Sequence, residues 1–246
     1  MKRIDAIDNP TVKLLLKLHM PKGRELHRQF IAEGFRTCET LVTSAIQLVQ
    51  LYVTEDKLAQ AQAITADHIT VVTYPIMNKI STSTTPSGIL GVFEIPANPS
   101  LDELTSGLVL AQISDPGNMG TLLRSAAAMN VRSVVIIDGT DIWSPKVIQA
   151  TAGSIGKIKL FKLSWFDLVT LKKRPTLSAL VVSGGKNPKE LDDKKRLLIV
   201  GSEAHGIPEE WLVSCDEQIT LPMSSGVESL NAAVAGSIAM YLVFNK

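Results

Sequence analysis

"LVLAQISDPGNMGTLLRSAAAMN", residues 108 to 130, begins as an apolar run of strand character and ends as a Leu- and Ala-rich helical stretch. Between the two lie Asp115, Pro116, Gly117, Asn118 and Gly120, and the helical part carries a single arginine, Arg124. The stretch reads as a strand (108–114), a loop (115–120) and a helix (121–130). Helical side chains lean toward the N-terminus, which sets Arg124 over the turn of Gly120, four residues back, with its guanidinium directed at the loop that holds Asn118. Taken by themselves, Asn118 and Arg124 are equally the pattern of a helix cap followed by an exposed helix residue.

Similar punctuation continues on both sides. The runs "SVVIID" (133–138), "KIKLF" (157–161), "SALVVSG" (178–184), "RLLIVGS" (196–202) and "EQITLPM" (217–223) alternate with helical stretches, as in a parallel sheet covered on both faces. Ligands of such sheets bind beyond the carboxyl ends of the strands. Two further strand-end loops therefore carry interest. "VGSEAHGIP" (200–208) offers Gly201, where a ligand could approach the backbone closely, and Glu203, a charge with no partner nearby in sequence; His205 reads as a solvated loop histidine. In "LPMSSGVESLNAAVAGSI" (221–238), Ser225 and Glu228 fit a capping box, and Ser229 and Asn231 are further capping candidates. The run "AAVAGSIAMYLVF" (232–244) is shorter than the roughly 20 residues a bilayer needs and reads as a buried helix.

Upstream, "NPTVKLLLKLHM" reads as a helix with Pro10 near its start, and "QFIAEGFRTCETLVTSA" as a strand, a glycine turn and a helix. Strand-like runs at "IQLVQLYVT", "HITVVTY" and "SGILGVFEI" complete a smaller α/β domain over residues 1–96. The Pro-, Ser- and acid-rich segment 97–107 reads as a linker, and 108–246 as the second domain. The chain of 246 residues carries a net charge of +1, but residues 1 to 36 hold eight Lys and Arg against four acids, a local balance of +4. Lys22, Arg24 and Arg28 in "KLHMPKGRELHRQF" are candidate phosphate contacts, with a plain solvated helix face as the alternative.

Several chemistries are excluded. There is no Gly-x-Gly-x-x-Gly fingerprint for a nicotinamide oxidoreductase and no Walker loop. His19, His27, His68 and His205 are scattered without a ligand pattern, so no metal is expected. Cys38 and Cys215 form neither a disulfide framework nor a zinc spacing, and Lys17 interrupts the apolar run of the first twenty residues; a cytoplasmic protein with no membrane association is expected.

In order and spacing, "SDPGNMGTLLRSA", "IVGSEAHGI" and "LPMSSGVESLNAAVAGSI" resemble the three motifs of the SpoU (TrmH) family of RNA ribose 2′-O-methyltransferases, of the SPOUT superfamily. "SPKVIQATAGSI" (144–155) is similar to the segment that follows the first motif. The N-terminal part resembles the L30e-like substrate-binding domain often joined to these enzymes. One departure is visible: Ser225, followed by Gly226, stands where the family usually has Gly directly.

This resemblance implies a C-terminal parallel-sheet domain closed by a deep trefoil knot, which departs from the general rarity of knots. It implies S-adenosylmethionine as cofactor, held by Gly201, Leu221, Pro222 and Leu230. The catalytic group would comprise Arg124, supported by Asn118, Glu203, Ser229 and Asn231. A homodimer through the C-terminal domain and an RNA substrate, ribosomal rather than transfer RNA, are implied as well. The same chemistry on transfer RNA, or a non-catalytic RNA-binding relative, are the alternatives.

Overall fold

The computed structural model describes residues 2–224 and 229–245. Two compact units emerge: Met1–Ala97 with Asp141–Gly156, and Asn98–Thr140 with Lys157–Lys246.

The first unit opens with β1 (Lys2–Ile4), a short strand that the sequence pattern did not signal. Helix α1 (Pro10–Leu18) follows, with Asn9 as its cap and Pro10 at its first position. Next come α2 (Pro21–His27), β2 (Gln29–Glu33), α3 (Phe35–Thr43), β3 (Leu48–Val53), α4 (Leu58–Ile64), β4 (Ile69–Val72), α5 (Tyr74–Ile80) and β5 (Ile89–Glu94). The strands form one mixed sheet in the order β1-β4-β3-β5-β2. The buried stripe Val12, Leu15 and Leu18 of α1 joins Ile76, Met77 and Ile80 of α5 over Ile31, Leu90 and Val92 of the sheet. Periodicity of 3.6 on the helices and 2 on the strands thus meets in one core.

In the second unit, β6 (Gly107–Ala111) leads through a loop into α6 (Pro116–Ala128) and on to β7 (Ser133–Ile137). The chain then rejoins the first unit with α7 (Pro145–Thr151) before returning as β8 (Lys159–Lys162), α8 (Trp165–Thr170), β9 (Thr176–Leu180), β10 (Arg196–Val200), α9 (Glu209–Leu212), β11 (Glu217–Ile219) and α10 (Ala232–Phe244). All pairings in this sheet are parallel, in the order β11-β9-β10-β6-β7-β8. Strands β6, β7 and β10 are buried along their whole length. That explains why they read as unbroken apolar runs. Val109, Val135, Leu177 and Ile199 form the core on one face with Phe161 and Leu168. On the other face α10 packs against α6 and β10, and also contacts the turn at Pro188–Glu190.

Two expectations change here. Helix α10 is buried along one side only, through Ala233, Gly236, Ala239, Met240 and Val243; Val234, Ile238 and Tyr241 are exposed at helical spacing on another side. Gly236 is needed for the inner contact, since a Cβ there would lie 2.6 Å from Leu122 Cδ2 and 3.0 Å from Val200 Cγ2.

Segment 141–156, placed by sequence in the second domain, is built into the first unit instead. The Trp143 ring lies 4.8 Å from that of Phe30, and α7 packs on β2. A Cβ on Gly153, at φ +82°, would meet the Thr37 carbonyl at 2.6 Å. Local sequence carries no sign of these partners, which lie more than a hundred residues upstream.

Trp143→Ala, by removing a half-buried ring from this contact, is expected to cost about 2–3 kcal/mol, below the roughly 3–5 kcal/mol of a fully buried large aromatic. Denaturant unfolding followed at the first unit should show the lower midpoint.

Candidate active site

Strands β6 and β10 are parallel neighbours, with Val200 opposite Leu110. The helix after β6 leads toward β7, whereas the chain after β10 leads back to β11 on the other side, so the crevice of the sheet opens between them. Their carboxyl-end loops are thereby brought side by side. This puts Asn118 and Glu203, 85 residues apart, in direct contact.

Asp115, rather than Asn118, caps α6: its Oδ1 accepts from the Asn118 amide at 2.7 Å. The Asn118 side chain is left for tertiary contacts. Its Nδ2 donates to Glu203 Oε1 at 2.9 Å, and its Oδ1 accepts from Asn231 Nδ2 at 3.0 Å. Asn231 does two things, because its own Oδ1 caps α10 by accepting from the amides of Ala233 and Val234. Glu203 also accepts from the Ser114 amide and hydroxyl and from the Asp115 amide, at 3.3 to 3.4 Å. One residue from each of the three sequence motifs is thus joined in a single chain of hydrogen bonds.

Burial pushes the Glu203 carboxyl up, but hydrogen bonds from Asn118 and the backbone outweigh it, and the net direction is down. Glu203 therefore stays ionised, with its lone pairs occupied. Such a group anchors a loop better than it takes up a proton.

Arg124 is exposed on α6. No carboxylate among the described residues pairs with it. Gly117 and Gly120 precede it by seven and four residues, so these two positions behind Arg124 on α6 carry no side chains, while the exposed Thr121 stands three residues back.

Beside the network lies a cavity of about 510 Å³, lined by Gly201, Leu221 and Leu230, which were expected to hold the cofactor, and by Ser229 and Asn231, which were expected in the catalytic group. Sequence reasoning missed the β9 end (Leu180 to Val182), Met223 and His205, which also line it. The strand order is what brings β9 there, and no local motif reports it.

Four expectations are corrected or limited. Pro222 is exposed and does not line the cavity. Gly201 is required by its own loop: Ser202 and Gly206 bond to each other's backbone, and a Cβ on Gly201 would fall 2.3 Å from the Gly206 carbonyl carbon. Arg24 is no surface phosphate contact, being 3 % exposed and paired with Asp141; Lys22 is exposed, and Arg28 is exposed with its guanidinium on the Ile95 and Pro96 carbonyls. The Ser225–Glu228 capping box, and the question of Ser225 in place of Gly, lie outside the described residues. Among the described residues no cluster of His, Cys, Asp and Glu could hold a metal ion, and no helix is long and apolar enough to cross a membrane.

Residues 106–241 match the model of the SpoU rRNA Methylase family, and residues 9–91 that of the MRM3-like substrate binding domain. The 23S rRNA (guanosine(2553)-2′-O)-methyltransferase RlmP of Bacillus subtilis is 26 % identical over 98 % of both chains. A solved RNA 2′-O ribose methyltransferase is 28 % identical, with a TM-score of 0.81 over 99 % of this chain and 98 % of its own. An AdoMet-bound rRNA methyltransferase from Sinorhizobium meliloti, 24 % identical, shares the fold at a TM-score of 0.88 over 98 % of this chain and 97 % of its own.

Gly201→Ala should distort the 201–207 loop and lower both stability and affinity for a ligand of the cavity, so that thermal melting and ligand titration shift together. Glu203→Gln should leave melting nearly unchanged. By turning one acceptor into a donor opposite Asn118, it should slow single turnover about tenfold to a hundredfold through misplacement of the loop.

Proposed function

The chain belongs to the SpoU rRNA Methylase family and is an RNA methyltransferase; from there we propose that it transfers a methyl group from S-adenosylmethionine to a ribose 2′-hydroxyl of ribosomal RNA. The observation that carries this reading is the hydrogen-bonded chain Glu203–Asn118–Asn231 beside the cavity, with Arg124, unpaired among the described residues, six residues further along the helix of Asn118. Ribosomal RNA and the ribose hydroxyl are supported by what RlmP and the solved 2′-O ribose methyltransferase are described as acting on.

The residues present fit the cofactor. A cavity of about 510 Å³ lies within the roughly 300–1,000 Å³ usual for small-molecule sites. Leu180, Leu221 and Leu230 would give its aromatic base an apolar wall, and the 201–206 main chain would offer amides and carbonyls. When bound, S-adenosylmethionine supplies a methyl group activated by the positively charged sulfur that carries it.

The protein's own residues then have to place a weak nucleophile and manage its proton. A guanidinium does not give up its proton at ordinary pH, so Arg124 is not the base. It binds the phosphate next to the target ribose and polarises the 2′-hydroxyl. Asn118, Glu203, Ser229 and Asn231 hold the loops from which Arg124 and the ribose are aligned. Lys22, on the first unit, contributes a sequence-independent phosphate contact.

The exposed stripe Val234, Ile238 and Tyr241 on α10 supports a homodimer, since a helix face of this kind gains by burial against a second copy. The small inward residues of α10 are used within the chain. A C-terminal helix that packs on α6, β10 and the Pro188–Glu190 turn is also compatible with a threaded, knotted chain. We place the protein in the cytoplasm, where its RNA substrate is.

Mapping 2′-O-methylated nucleotides in total RNA, with and without the gene, should reveal one ribosomal site that disappears. A change confined to transfer RNA would overturn the assigned substrate. Arg124→Ala should keep its fold and its cofactor affinity while methyl transfer drops at least roughly a hundredfold; Arg124→Lys should not restore it, lacking the planar fork. A near-normal single-turnover rate for the Ala variant would refute the role given to Arg124. Ile238→Asp should shift the protein to a monomer in size-exclusion chromatography with light scattering.

A further inference from the structure

Helix α10 lies along α6 and is tied to it by side-chain hydrogen bonds at two heights. At the first, Asn231 Nδ2 donates to Asn118 Oδ1 at 3.0 Å. At the second, the Ser237 hydroxyl donates to the Ser125 hydroxyl at 2.8 Å, both residues being half-buried. Between the two ties the contact is apolar, with Gly236 standing directly against Leu122. Ser125 and Ser237 have no part in the function proposed above, although Ser125 directly follows Arg124.

The two ties are matched in spacing. Asn118 and Ser125 are seven residues apart on α6, a rise of about 10.5 Å, and Asn231 and Ser237 are six apart at the start of α10, about 9 Å. The helices therefore run in the same direction across the contact, and bonds at both ends of it oppose sliding and rotation together. Apolar packing by itself is not directional, and Gly236 presents no side chain to lock the angle. Rotation is what Arg124 would feel. At the outer radius of a helix with its side chains, roughly 5–6 Å, a turn of about 10° moves a side-chain tip by about 1 Å. Misplacement of about 1 Å can cost on the order of a hundredfold in rate. Ser125 faces α10, while Arg124, one residue and about 100° earlier on the helix, is exposed, so the hydroxyl bond sets the angle at which the guanidinium leaves α6.

We infer that Ser125 and Ser237 are a positioning pair for methyl transfer: their hydroxyl–hydroxyl bond fixes the rotation of α6 about its axis and thereby aims Arg124. The inference rests on the role proposed above for Arg124. Both serines act through that residue. Removing the two hydroxyls together strands no buried donor or acceptor, and Ala is the better helix former, so the bond adds little to stability and its effect falls on rate.

Single-turnover kinetics on the full-length protein, with S-adenosylmethionine and ribosomal RNA purified from cells lacking the gene, test this. Ser125→Ala, Ser237→Ala and the double variant should each slow methyl transfer about fivefold to thirtyfold at saturation, the double no more than either single, with both dissociation constants within about threefold of the parent. Ser237→Thr and Ser237→Val have the same shape and differ in the hydroxyl, so the Thr variant should be at least about threefold faster than the Val variant. In an Arg124→Ala background, Ser125→Ala should slow the residual rate by less than about twofold, since no guanidinium is left to aim. Parent-like rates for both single variants overturn the inference, and so do equal rates for the Thr and Val variants or an undiminished loss from Ser125→Ala when Arg124 is absent. A loss confined to RNA affinity overturns it in favour of a direct RNA contact by Ser125. A parent protein without methyl transfer, or an Arg124→Ala variant with a normal rate, would overturn the proposed function beneath the inference, whereas normal serine variants beside an active, Arg124-dependent parent overturn the pair alone.

Discussion

Two parallel strands, β6 and β10, lie next to each other although their paired residues, such as Gly107 and Leu197, are 90 apart in sequence, and their loops must therefore share one space at the carboxyl edge of the sheet. Glu203 resolves that crowding. Its carboxylate accepts from the backbone and side chains of the first loop, and Asn118 passes the connection on to Asn231 at the start of α10. A parallel sheet obliges such an arrangement, since the connection after each strand returns over a face of the sheet and leaves the loop ends to meet above it. The cavity and the first turn of α10 take their places from this junction.

The stabilisation of that junction comes from geometry more than from charge. Glu203 is an ion without a cation among the described residues; amides and one carboxamide satisfy it, as suits a carboxylate kept anionic near a helix N-terminus. Among the described residues no carboxylate neutralises Arg124, as suits the phosphate contact proposed for it. Elsewhere arginines are consumed by the fold. Arg196 is buried among Ser178, Asp192 and Glu217, and Arg24 is buried on Asp141. Arginines thus take different roles in this fold, set by what surrounds them.

Strand and helix placement was legible because it depends on neighbours within a few residues. Apolar runs with turn punctuation marked all six strands of the second unit, and Pro10 marked a helix start; residues 116–120, expected as loop, instead form the start of α6. The motif residues Asn118, Gly201, Glu203, Leu230 and Asn231 were legible for the same reason, each sitting where a strand ends or a helix begins. Asp115 rather than Asn118 as the cap shows the limit: both satisfy the local rule, and the competing partner, Glu203, lies in another motif.

By itself, then, the amino-acid sequence determined the two α/β units, the parallel run of the second, and the three loops in which chemistry could occur. Tertiary structure alone decided which residues those loops present to one another. It assigned segment 141–156 to the first unit, exposed one side of α10, and withdrew Arg24 from the surface. The physical reason is one of range. Hydrogen-bonding propensity and side-chain periodicity act over a few residues, whereas burial and ion pairing depend on which surfaces are brought together. The Arg24–Asp141 pair spans 117 residues of sequence, and only the folded chain could reveal it.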